Sequence, residues 1–62
     1  MNTEMLLKEF QKILTYEERA KHFYEHLIDQ VKDEDIRKKL TDIRDDEIMH
    51  ISIAKKLIEY VS

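Results

Sequence analysis

Apolar residues recur along this chain at alternating intervals of four and three, with a single break in phase. That pattern restricts the chain to helices packed along a seam. The first run is Leu6, Phe10, Ile13, Glu17, Ala20, Tyr24, Leu27 and Val31. The second is Ile36, Leu40, Ile43, Glu47, His50, Ala54, Leu57 and Val61. Threes and fours in alternation keep one stripe of a helix facing a neighbour, as in coiled coils and bundles. Gly and Pro are both absent and strong helix formers dominate, so a strand has almost nothing to rest on.

The break in phase argues for two helices and against one. Continued past Val31, the first seam falls on Glu34, Lys38, Thr41 and Asp45, all polar. The apolar set restarts instead at Ile36, five residues on. Five residues rotate the stripe by ~140°, at ~100° per residue. Lys32-Asp33-Glu34-Asp35 is the only candidate turn. The expected fold is all-α: an antiparallel two-helix hairpin in one domain spanning 1–62, with helix 1 over about 3–31, a turn at about 32–34 and helix 2 over about 34–61. Asn2 or Thr3 can cap helix 1, and Asp33 can cap helix 2. Glu4, Glu34 and Asp35 suit the positive ends of the two helix dipoles, and Lys55 and Lys56 suit the negative end of the second.

Three seam positions are not apolar. Glu17, Glu47 and His50 lie near the middle of their segments with apolar neighbours on both sides. Ala20 and Ala54 follow one seam step later and leave room that Leu would fill. Glu47 and His50 are three apart and share a helix face, so both can ligate one metal ion. Glu17 and Glu47 each lie fifteen residues from position 32, which puts them at one height in a hairpin. Ionised carboxylates in a seam are costly unless compensated. Lys21 can reach in from the seam edge, but a divalent metal compensates them better. The plainer reading is that these polar residues fix register and partner choice, as a buried Asn does in coiled coils.

A hairpin cannot hide its apolar face alone, and 62 residues bury only a modest core. Two hairpins back to back make a four-helix bundle. Leu7, Leu14, Ile28, Ile51 and Ile58 broaden the seam and fit that arrangement. Met5, Tyr16 and Phe23 form a side stripe on helix 1, while Ile48, Met49 and Ile53 lie off the seam on helix 2. They are either scattered surface residues or contacts beyond a dimer.

Charge and composition exclude several other functions. There is no Cys, so disulfides and thiolate metal sites are absent. Charged residues make up 40% of the chain with a net charge of −3 and both signs interspersed, which disfavours nucleic acid. No apolar stretch approaches membrane-spanning length and no leader is visible, so a cytoplasmic location is expected. His22 and His26, near Glu18, Glu25 and Asp29, read as a solvated polar face or a weak metal-uptake site. Glu4 with Lys8, Glu34 with Lys38 and Asp35 with Lys39 read as surface helix pairs.

Several of these residues carry a family likeness. Glu17-Glu18-Arg19-Ala20-Lys21-His22-Phe23-Tyr24 resembles the first-helix motif of rubrerythrin-like and ferritin-like proteins, in Glu17, Ala20 and Tyr24. Arg44-Asp45-Asp46-Glu47-Ile48-Met49-His50 resembles the second, an acidic run leading into Glu-x-x-His. The interval of thirty between Glu17 and Glu47 looks closest to encapsulated ferritins. The likeness implies a ferritin-like four-helix bundle formed by a homodimer or higher oligomer, with a di-iron ferroxidase site between chains. It implies Glu17, Glu47 and His50 as ligands, Tyr24 just outside them, and Fe(II) oxidised by O₂ or peroxide in iron handling or storage. Mn or Zn are substitutes, since carboxylate and imidazole donors serve all three metals. Encapsulated ferritins carry a tail that docks in a protein shell, and none follows helix 2 here. A shell, with a nanocompartment as the location, and a fused partner both stay open as expectations. The alternatives are a non-catalytic metal-binding or helical assembly module without redox turnover, and a metal-free interaction domain.

Overall fold

A computed structural model describes residues 1–62. The chain forms two helices and no strand, α1 over Thr3–Gln30 and α2 over Glu34–Val61, and the two pack against each other. Each helix has 28 residues. At 1.5 Å per residue that is ~42 Å, which accounts for most of the 47 Å long axis.

Both helices start on side-chain caps. Asn2 Oδ1 accepts from the Met5 amide at 2.8 Å, and Asp33 Oδ1 accepts from the Ile36 amide at 3.0 Å. Of the two candidates at the N-terminus the cap is therefore Asn2, and Thr3 is the first helical residue. At the end of α1, Val31 leaves the helix with φ −84° and ψ 130°, while its amide still donates to the Leu27 carbonyl at 2.9 Å. Asp33 is likewise extended, at φ −69° and ψ 120°. No residue in the chain takes a positive φ. The connection is built from ordinary extended conformations, so it needs no glycine.

The helices meet along part of the seam only. Leu40, Glu47, Ala54 and Val61 of α2 face α1, and Phe10, Glu17, Tyr24 and Val31 face back; all but Ala54 are half-buried. Leu7, Leu14, Ile28, Ile51 and Ile58 flank this contact and are also half-buried. Ala54 alone is fully buried, at 1% exposure, where its small side chain lets the helices approach.

The remaining seam row is different. On α2 the row of Ile36, Ile43, His50 and Leu57 stays exposed, whereas on α1 the matching row exposes only Ile13 and leaves Leu6, Ala20 and Leu27 half-buried. On each helix this row lies ~60° around from the facing row, at ~100° per residue. Because the helices are antiparallel, the open row of α2 and the exposed Ile13 of α1 fall on one side of the hairpin. Tyr16, Phe23, Ile53 and Tyr60 extend that exposed face.

Several ion pairs lie within one helix. Lys12–Glu9 at 3.1 Å and Arg37–Glu34 at 3.8 Å form on the surface, in place of the pairs expected from Glu4, Lys38 and Lys39. Long exposed side chains gain only a few tenths of a kcal/mol from any one partner, so register along the helix selects weakly among them. Lys21 pairs with Glu25 on its own helix at 3.8 Å rather than with a seam carboxylate.

Candidate metal centre

α1 and α2 bring Glu17, Glu47 and His50 together. One ligand atom from each lies within 4.8 Å of the other two. The seam turns Glu17 and Glu47 inward at matching heights, and one helical turn carries His50 alongside Glu47. His50 Nδ1 lies 3.2 Å from Glu17 Oε2, so with its proton on Nδ1 the ring donates across the helix pair. The side chains differ in access: Glu17 is 24% exposed and His50 is 52% exposed. The cluster therefore opens through His50 onto the uncovered apolar face.

Glu47 is the least satisfied member. Its Oε2 is buried without any hydrogen-bond partner. A hydrogen bond with Glu17 holds the Glu47 carboxyl above the ordinary carboxylate range, and desolvation and the Glu17 charge push the same way. His50 pulls weakly in the opposite direction. Two adjoining carboxyls, one oxygen orphaned, make a site that a cation would relieve.

The donor set fits a first-row divalent ion. Such an ion binds nitrogen and oxygen at ~2.1 Å, so its ligand atoms lie at most ~4.2 Å apart. The 4.8 Å bound on the separations within the cluster is close to that span. Three ligands also leave coordination positions free on the open side.

Tyr24 is half-buried two turns from Glu17, and its ring meets Phe23 edge-on at 6.0 Å. No hydrogen bond joins it to Glu17 or Glu47. His22 is exposed, with Nδ1 3.5 Å from Glu25, and His26 joins neither it nor an acid to form a second ligand cluster. A further polar contact crosses between the helices: Arg44 Nη1 lies 3.3 Å from Glu25 Oε2. Sequence reasoning passed over it. The signal was available, because Lys21, Arg37 and Arg44 interrupt a flanking row otherwise filled by Leu7, Leu14, Ile28, Ile51 and Ile58.

No helix is long and apolar enough to cross a membrane. Comparison with family models, curated proteins and solved structures finds no match to this chain.

Proposed function

We propose that this chain is half of a ferritin-like di-iron ferroxidase, completed when two hairpins pack through their open faces. The observation that carries the proposal is the convergence of Glu17, Glu47 and His50 at the edge of an uncovered apolar surface, with the Glu47 oxygen unpartnered. Two copies supply four carboxylates and two imidazoles, the donor set of di-iron carboxylate bundles. Four negative charges balance two divalent cations. Glu17 and Glu47 would hold Fe(II) as hard anionic donors that favour Fe(III). His50 would bind as neutral imidazole. The overall reaction is oxidation of two Fe(II) to Fe(III), while O₂ gains two electrons and two protons to become H₂O₂.

Surface area supports the second copy. A compact chain of 7.6 kDa exposes about 4,300 Å². This hairpin exposes 5015 Å², roughly 700 Å² more. That excess is close to the ~800 Å² each partner contributes to an ordinary protein interface.

A second reading has the same ligands but no turnover: a metal-binding assembly module. It is favoured by a donor set that serves Mn(II) and Zn(II) as well as Fe(II). One experiment separates the readings. Fe(II) is titrated anaerobically and then exposed to air, with ferric absorbance and oligomeric mass followed throughout. Saturation near one iron per chain, prompt oxidation and a mass of at least two chains are expected. Tight binding without oxidation selects the assembly module, and no binding rejects both readings.

A further inference from the structure

Besides the Glu17–Glu47–His50 cluster, the two helices share one polar link. Arg44 Nη1 on α2 lies 3.3 Å from Glu25 Oε2 on α1, and both side chains are mostly covered, at 26% and 35% exposure. Arg44 does not swing freely, because its Nε donates to Asp45 Oδ1 at 2.9 Å. Glu25 is held in turn by Lys21 Nζ at 3.8 Å and His22 Nδ1 at 3.5 Å through its other oxygen. Each end of the cross-helix pair is thus steadied by neighbours on its own helix.

Arg44 is one helical turn before Glu47, and Glu25 is two turns beyond Glu17, towards the connection. At ~100° per residue, Arg44 lies on the opposite side of the contact line from His50. The pair therefore closes the back edge of the hairpin while the ligands occupy the front. The rest of the contact is made largely of Leu, Ile, Val and Ala. Apolar surfaces of this kind attract without direction and set axial position loosely. Glu17 and Glu47, when both ionised, repel and favour a slipped or splayed pair.

We propose that the Glu25–Arg44 pair is a register latch, positioning α2 against α1 so that Glu17, Glu47 and His50 stay within ligand reach before metal arrives. This inference rests on the metal-centre reading. Arg44 and Glu25 touch no ligand atom; they act through the axial position of the helices. The latch is specific to opposite charges facing one another, so exchanging the two charges preserves it, while removing either one does not.

The test uses the full chain with Co(II) as probe, its visible absorption reporting coordination. Arg44→Met, Glu25→Gln and the exchanged double variant Glu25→Arg/Arg44→Glu are compared with wild type, with helix content checked by circular dichroism. Each single variant should keep its helices and bind Co(II) about three- to fivefold more weakly, the scale a partly exposed ion pair commands. The exchanged variant should recover most of that loss. Single variants that bind as tightly as wild type overturn the latch, and so does an exchange that recovers nothing. Cross-helix nuclear Overhauser contacts from the His50 ring, read without metal, form a separate arm. If wild type binds no Co(II), the metal-centre reading falls and these contacts judge the latch alone. Their loss in both single variants and return in the exchange supports it, and their persistence in the single variants overturns it.

Discussion

Glu17 and Glu47 hold their carboxyls close enough that both ionised forms repel, and this sets how the site responds to pH. The Glu47 carboxyl is raised above its ordinary range, chiefly by its hydrogen bond with Glu17. A raised acid favours the protonated form in the folded chain. Its stabilising contribution is fully present below the unfolded value of ~4.3 and is lost as pH rises through the higher folded value. Glu47→Gln mimics the protonated group at every pH. The metal-free variant should therefore melt above wild type at neutral pH, with the gap closing towards pH 4. Thermal melts in chelator across that range measure it, and a constant gap would contradict the assignment. Metal competes with the same proton, so binding should release protons and weaken in acid. Glu17→Ala, Glu47→Ala and His50→Ala should each abolish Co(II) or Fe(II) binding by calorimetry. Undiminished binding in any of them removes that residue from the ligand set.

Each helix is set at its beginning by one side chain, and α2 depends on Asp33. Its carboxylate accepts from the Ile36 amide and also favours the positive end of the helix dipole. Asp33→Ala should cost about 1 kcal/mol, read as a lower denaturant midpoint with unchanged slope at fixed protein concentration. The connection itself was legible from the phase break at Ile36, because a seam cannot continue through Glu34, Lys38, Thr41 and Asp45 without burying charge. Which seam row would meet α1 was not legible in the same way. Ile43 and Leu40 are equally apolar, and only the packed pair turns Leu40 inward and leaves Ile43 outside.

The whole molecule is elongated, with extents of 47 × 14 × 14 Å and a radius of gyration of 14.4 Å. A compact chain of this length would have a radius near 11 Å. With one fully buried residue, the hairpin has no core of its own to match its apolar content. Covering the open face is thus the largest stabilisation the fold still has to gain. Ile43→Lys places a charge on that face while leaving the intra-hairpin contact intact. It should sediment as a single 7.6 kDa chain at concentrations where wild type is larger, with helix content retained. A variant as large as wild type would show that the face is not the interface.

The sequence by itself determined local structure: helix everywhere but the turn, that turn to within a residue or so, and Asp33 as the cap of α2, because each follows from interactions within a few residues; between Asn2 and Thr3 at the start of α1 it left the choice open. It also placed Glu17, Glu47 and His50 on the seam, since a helix of known period carries its face with it. Tertiary packing decided the rest. It chose which edge of the seam stayed open, paired Arg44 with Glu25 across the helices, and left one Glu47 oxygen without a partner. Those outcomes depend on the rotation and axial offset of one helix against another. A repeating apolar stripe is compatible with several such offsets, and only the sum of contacts along both helices selects one.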